Sequence, residues 1–564
     1  MTTPSSSHTP IDVPVLIVGG GPVGLTASIH LSRAGVRSLL VEKHAGTATL
    51  PKARSINART MEMYRQLGIE NEIRAAGLDP RFSRMVLWAT SLAGEEVRRL
   101  VPGSASAETR SVSPTTNASC AQDLLEPILR RHAQAGAPDG VRFGVSMQDL
   151  RYGADGARGL LVDSGTGQAT PFRARYVIAA DGSQSTIRRQ IGAQMLGERD
   201  IYDSINVHFR ADLRRFVEHR PAALYMIEQP DLRGTFLTIN GSDRWSFLVN
   251  SMSLYGFTAE QFTPEFAKQT IRTAIGQDDV DIDVLGIGAW RASAIVSDRY
   301  RDGPVFLAGD SAHEMPPTGG MGLNTGVQDA HNLAWKLAAV IKGEAGEELL
   351  DTYHAERRPM GEFTTRTALL SSLSMGRKER TDKPVTAREE FLQERGVIFG
   401  YRYESTAVIP DPDTPVPQVA DPVTQYVPSA TPGCRAPHAE LLRSGEKVST
   451  IELFGLEFVL LAGPQGKAWK DAADAVRGPS IRAHVVGDDL VDADGDWQAL
   501  YGVGPQGAVL VRPDGIVAWR SEGAAANAPA ALDAVLQKVL SRHSTTVGAP
   551  SATQPAAQAT LQKS

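Results

Sequence analysis

The sequence predicts an α/β protein in which a parallel-sheet body is interrupted by an antiparallel sheet and followed by a smaller α/β domain. Three observations predict it. A strand, glycine turn, helix and strand occupy residues 13–42, and apolar runs at 177–180 and 305–308 return to the same texture. Between those runs, residues 196–292 break into short alternating segments separated by turns such as 240–243. After a proline-rich stretch, residues 433–543 carry further strand runs, a hairpin at Pro513-Asp514-Gly515 and a closing helix.

The bulk numbers bound the class. A chain of 564 residues has room for two to four domains, and 42% apolar with 22% charged residues is ordinary for globular protein. A net charge of −6 argues against nucleic acid as a main partner. The two cysteines, Cys120 and Cys434, are too few for a disulfide framework or a multi-cysteine zinc site. They fit a reducing cytoplasm, and no metal is expected. Residues 1–12 are polar, without the apolar centre of a signal peptide. No stretch reaches the roughly 18 apolar residues of a membrane span, so no membrane partner is expected.

In chain order, the apolar run 15–18 reads as a buried strand and Gly19, Gly21 and Gly24 fall in G-x-G-x-x-G spacing. The first glycine allows the tight turn, the second lets a pyrophosphate approach the backbone, and the third lets helix and strand pack closely. The helix from Pro22 to Ala34 then aims free N–H groups at that pyrophosphate. Glu42 ends the next strand, where a carboxylate accepts from ribose hydroxyls and repels a 2′-phosphate. An ADP-containing dinucleotide, FAD or NAD over NADP, is therefore expected in a Rossmann-like domain.

Asn57 is placed to cap a helix over 58–67, with Arg54 and Arg59 flanking its start. One of these arginines is expected at phosphate, and the sequence does not choose between them. A helix with Gln122 and Asp123 in its first turn follows. The 177–180 strand ends in Asp181-Gly182, and Ser183 or Ser185 starts a helix with Arg188 and Arg189. The 305–308 strand ends in Gly309-Asp310; Pro316, Pro317, Gly319, Gly320 and Gly322 form a loop, and a helix runs over 324–341. Such a loop aims N–H groups at an anion or carbonyl. The expected domains are a tail (1–12), a dinucleotide-binding body (13–195 and 293–400), a β-sheet substrate domain (196–292), a linker (401–432), a C-terminal domain (433–543) and a second tail (544–564).

GGGPVG with Glu42, ADGSQSTIR at 180–188 and GDSAHEMPPTGGMGLNTGVQDAHNLAWKL at 309–337 together resemble the single-component FAD-dependent aromatic hydroxylases. These are the group of para-hydroxybenzoate hydroxylase and phenol 2-monooxygenase. The C-terminal part is similar to the thioredoxin-like domain of the phenol-hydroxylase branch, although without a C-x-x-C. The resemblance implies FAD bound by Gly19, Gly21, Pro22, Val23, Gly24, Glu42, Lys43, Arg54, Gln122, Asp181, Gly182, Gly309, Asp310, Pro317, Gly320, Gly322, Leu323 and Asn324. Asp310 would hold the ribityl chain, and the loop after Pro316 would lie beside the isoalloxazine ring.

The implied reaction is hydroxylation of a phenolic or polycyclic aromatic by a flavin C4a-hydroperoxide, with O₂ and NAD(P)H as co-substrates, NADPH favoured. A natural-product tailoring step such as antibiotic biosynthesis is as natural a setting as catabolism. Arg54 and Pro317 are expected to serve catalysis. Tyr225, His208 and Trp245 of the inserted sheet are candidates for the group that activates a phenol, with Tyr225 carried forward. Same-fold Baeyer–Villiger, epoxidising or antibiotic-modifying chemistry stays open, as does a flavin-binding protein without turnover. The chain is expected to be a monomer or homodimer.

Overall fold

The computed structural model describes residues 9–82, 85–100, 109–374, 394–412 and 415–542. Both expected tails lie wholly or largely outside the described residues, as does part of the expected body segment 293–400.

The body is built on strands whose side chains are buried on both faces. Ile11–Val18 pairs in parallel with Ser38–Glu42 on one side and Ala169–Ala179 on the other. Val141–Phe143 and Val305–Leu307 extend the parallel array outwards. Val15, Leu16, Ile17, Val177, Ile178, Ala179, Val305, Phe306 and Leu307 are all fully buried, as helix-covered parallel strands require. Helix α1 (Pro22–Arg33) starts with Pro22 in its first turn, the position where a missing N–H costs nothing. Helix α2 (Ala58–Gln66) is capped by Asn57, which accepts from Thr60 N at 2.9 Å. Helices α3 (Gln122–Gly136) and α4 (Met321–Ile341) pack on either side of α1. Helix α5 (Asp351–Ser374) packs on α4. The carboxyl ends of the strands, at Val18, Glu42, Ala179 and Leu307, share one edge, where ligands of open α/β sheets bind.

The inserted sheet is larger than the 196–292 segment. Its eight strands among the described residues include Val86–Ala89 and Glu96–Leu100, and its long strands Met195–Arg210 and Asp283–Ser297 reach beyond the expected bounds. It is antiparallel except where Val86–Ala89 pairs in parallel with Leu224–Glu228. Alternation sets its two faces. Val207, Phe209, Tyr225, Phe236, Trp245 and Phe247 pack with Ala267, Ile271 and Ala274 of the helix Pro264–Ile275. The other face turns towards the body: Gly286 lies against Leu50, and Arg244 pairs with Asp123.

The C-terminal sheet has the order Ile481–Val485, Phe458–Ala462, Ala508–Val511, Val517–Ser521, with the first pair parallel and the rest antiparallel. With helices Lys467–Asp474, Trp497–Tyr501 and Ala528–Val539 between and after the strands, this is a thioredoxin-like arrangement. The stretch 401–432, expected as a linker, instead packs: Tyr401, Tyr403 and Ala407 are buried, and Ile409 N donates to Ala518 O at 2.8 Å. Proline there fixes a covered strap, which composition alone does not distinguish from a free linker.

Buried charges bind this domain to the body. Arg512 makes a two-bond pair with Glu356 of α5, at 2.6 and 2.8 Å, and Glu356 also receives Lys336 Nζ of α4 at 2.7 Å. Arg435 and Arg59 both bind Glu62 of α2, and Arg59 Nη2 donates to Asp514 O at 2.6 Å. Glu356→Ala leaves Lys336 and Arg512 buried without that carboxylate, so it is expected to cost about 3–5 kcal/mol. Urea unfolding of the full chain measures this; a loss below about 0.5 kcal/mol refutes it.

Candidate active site

The glycine loop separates two physical demands. A side-chain carbon on Gly19 would meet Ala180 O at 2.0 Å, and one on Gly24 would meet Gly19 O at 2.0 Å. These two glycines serve the fold. At Gly21 only Glu126 Oε1 comes within reach, at 4.0 Å, and the backbone there is ordinary extended chain that any residue adopts. The protein itself therefore gives no reason for glycine at this position; a ligand lying against the backbone at the N-terminus of α1 does.

Around that loop the expected residues converge. Glu42 Oε2 accepts from Gly20 N at 2.7 Å, and its Oε1 accepts from His44 N at 2.9 Å. Pro22 opens α1, and Val23 lies against Gly309 and Gly326. Lys43 is exposed next to Glu42. Gln122 Oε1 accepts from Ala53 N at 3.3 Å, holding the approach to Arg54 against α3. Asp181 caps the helix Thr186–Gln190, accepting from Thr186 N at 2.9 Å, while Gly182 turns in a left-handed conformation with open space beside it.

The second half is built by Gly309 and Asp310. Gly309 has φ +65 and its N–H donates to Asp329 at 3.1 Å. Asp310 is exposed to the cleft although protein crowds round it. Desolvation by that crowding pushes its pKa up, with His313 and Lys52 pulling it down. Pro317 is exposed, and Gly320 N donates to Pro317 O at 3.0 Å in the turn that opens α4. Gly322 leaves space beside it, and Leu323 is half-buried. Asn324 is spent on the protein: its carbonyl accepts from Asn57 N at 2.9 Å, and its amide donates to Ser55 O at 2.9 Å. It can meet a cofactor only through its backbone.

The structure separates the two arginines. Arg59 is fully enclosed with Glu62 and Tyr401. Arg54 crosses to the inserted sheet, donating to Thr238 O at 2.8 Å and Ala223 O at 3.1 Å. Burial lowers its pKa to about 10, which leaves it a cation at neutral pH.

Tyr225 is corrected. It sits on the covered face of the sheet, its hydroxyl donating to Arg220 O at 3.0 Å and accepting from Ala222 N at 2.9 Å. It cannot activate a substrate in the cleft. Trp245 packs on the same face, with Nε1 donating to Ala211 O at 3.2 Å. His208 is on the cleft side, but Nδ1 donates to Trp245 O at 3.0 Å and Nε2 accepts from Arg244 at 3.3 Å. Burial and then Arg244 lower its pKa, so it is neutral with its lone pair engaged. His313 is tied to Asp329 at 2.8 Å.

Sequence reasoning missed Lys52, whose charge pulls down the pKa of both Asp310 and Glu126, and Glu126 itself. It also missed the bolt between two motifs, in which Arg188 donates to Ser311 O at 3.1 Å and to Ser183 O at 2.7 Å. Glu126 left a signal: a charge among the buried apolar positions Leu125, Ile128 and Leu129.

Residues 12–368 match the family described as FAD binding domain, and residues 429–542 match the C-terminal region of aromatic-ring hydroxylases. The chain belongs to the FAD-dependent aromatic-ring hydroxylases. This flavoprotein hydroxylase is 38% identical to the tetracenomycin B2 monooxygenase-dioxygenase of Streptomyces olivaceus, over 94% of this chain and 99% of the relative. It is 37% identical to a 4-methyl-5-nitrocatechol 5-monooxygenase of a Burkholderia species, over 96% and 100%. Among solved structures, the ternary complex of aklavinone-11 hydroxylase with FAD and aklavinone superposes with a TM-score of 0.85 and 36% identity, covering 95% of this chain and 100% of that one.

The open space at Gly21, the carboxylates at the strand ends and the left-handed turns fit FAD. Gly21→Ala puts a carbon into that space. It is expected to weaken FAD binding at least tenfold while costing the flavin-free fold about 1 kcal/mol or less. Gly24→Ala is expected to destabilise both forms. Flavin fluorescence quenching and thermal unfolding measure the two effects; equal FAD affinity in Gly21→Ala refutes the assignment.

Proposed function

We propose that this hydroxylase adds oxygen to a phenolic, fused-ring aromatic substrate of polyketide type, with O₂ and NADPH as co-substrates, in natural-product tailoring. The observation that carries this reading is the cleft wall of the inserted sheet. One side presents the half-buried Leu224, Met226 and Leu237; the other presents the half-buried Asn206 and Asn250 around Leu248, over the buried Ser204 and Ser246. The polar members pair among themselves, as in Ser204 with Asn250 at 3.1 Å. A flat ring system with oxygen substituents along one edge matches a wall divided in this way. Hydroxylation of aromatic polyketides among the relatives supports it.

FAD, when bound, supplies the acceptance of hydride from a nicotinamide and the activation of O₂. The chain's own residues supply position and charge. The N–H groups that open α4 and the turn at Gly319 and Gly320 place positive potential at that end of the cleft. Arg54 binds two carbonyls of the inserted sheet and no carboxylate in the described contacts, so its charge serves the cleft rather than an ion pair. It both holds the sheet against the body and stabilises negative charge developing on the phenol.

Anaerobic mixing with NADPH, with and without hydroxylated anthraquinones and simple phenols, tests the reading. Flavin bleaching is expected to accelerate at least tenfold with a fused-ring phenol. Equal bleaching with every compound, or acceleration by simple phenols alone, overturns the fused-ring assignment. Arg54→Met is expected to lower kcat/KM by about 10–100-fold with flavin content retained. Unchanged steady-state kinetics would leave Arg54 a purely structural tie.

A further inference from the structure

Glu126 lies one helical turn after Gln122 on α3 and is 4% exposed. Its Oε1 is the protein atom nearest the space beside Gly21 and accepts from Gln122 Nε2 at 2.7 Å. Its Oε2 accepts from Ala48 N at 2.6 Å, which fastens the segment after Glu42 across the glycine loop. One carboxyl group thus closes the segment and forms a wall of the socket assigned to the pyrophosphate.

We propose that Glu126 takes up a proton from solvent when FAD binds, so that a neutral carboxyl shares the socket with the pyrophosphate. The proposal rests on the placement of that pyrophosphate at Gly21. An ionised Glu126 would add a third negative charge beside the two of the pyrophosphate, more than the partial positive charge at the start of α1 offsets. Protonation keeps what the site needs. Each oxygen retains a lone pair for Ala48 N and Gln122 Nε2, and the new O–H is a donor for a phosphate oxygen.

The surroundings already raise the proton affinity of this carboxyl, so that added negative charge can complete its protonation. Burial, the largest effect, raises the pKa of Glu126, and Glu42 at the neighbouring strand end raises it further. The Ala48 and Gln122 donors and Lys52 of the covering segment pull it down without cancelling the rise. On its own helix, Asp123 pairs with Arg244, and Arg130, one turn on, lies over the Phe143 ring. His44 contacts Glu42.

The test uses the full chain with its flavin reversibly removed, titrated with FAD. Calorimetry in two buffers of different ionisation enthalpy is expected to count uptake approaching one proton, and the Kd is expected to rise with pH by up to tenfold per unit. Glu126→Gln is expected to abolish both effects and to bind FAD at least as tightly as wild type at high pH. His44→Gln is expected to keep them. No proton uptake by the wild-type chain overturns the proposal, whether or not a variant folds. So does a pH slope that survives Glu126→Gln or disappears in His44→Gln. Gly21→Ala separates the two layers: if it binds FAD like wild type, the placement of the pyrophosphate fails. If it loses FAD while the wild type takes up no proton, only the role of Glu126 fails.

Discussion

One buried carboxylate, Asp329 on α4, organises the half of the site that the glycine loop does not reach. It accepts from Gly309 N at 3.1 Å, His313 Nε2 at 2.8 Å and Arg357 Nε at 2.8 Å. Burial raises its pKa, but Arg357 and His313 outweigh that and hold it ionised. Such a group is tolerated in the core only when its charge is fully matched. The match fixes Gly309 in its left-handed turn and thereby presents Asp310 to the cleft. Arg357 continues the chain of contacts to Tyr403 at 2.7 Å, so the strap over 401–432 leans on the same charge.

The sequence made the glycine loop, the Asn57 cap and the parallel strands legible because their causes are local. A turn that admits no side chain, a helix that needs a cap, and a strand covered on both faces each show in a few adjacent residues. Arg54 and Arg59 were not separable for the opposite reason. One lies in a loop whose target is the carbonyls of Thr238 and Ala223, and the other in the first turn of α2 beside Glu62. Tyr225 failed on a finer point. A one-residue shift of reading frame in a strand moves a side chain from the cleft to the core, and in Leu224–Glu228 both faces hold apolar residues. The strands Val86–Ala89 and Glu96–Leu100 were not legible as members of the inserted sheet, since joining it takes a pairing with Leu224–Glu228 distant in sequence.

The thioredoxin-like domain carries no cysteine pair. Cys434 precedes its sheet, its pKa is pushed up to about 11 by burial, and Cys120 lies in the body. What the domain contributes instead is charge. Its hairpin between Ala508–Val511 and Val517–Ser521 carries Arg512 and Asp514 into the body. There Asp514 receives Asn332 of α4 at 3.0 Å, and Arg512 receives the support of Glu356 on α5.

Asn332 lies less than one helical turn from Asp329, on the helix that follows the Pro317–Gly320 turn. Docking of the domain therefore restrains α4 at mid-length, and α4 carries that restraint to Asn324 at one end of the cleft and to Gly309 through Asp329. Ion pairs suit this task better than apolar contact would. Apolar surfaces slide at small cost, whereas a buried two-bond arginine–carboxylate pair tolerates one geometry and penalises its neighbours. A hydroxylase that must hold ring, oxygen and substrate in register gains from a domain whose contribution is direction rather than chemistry.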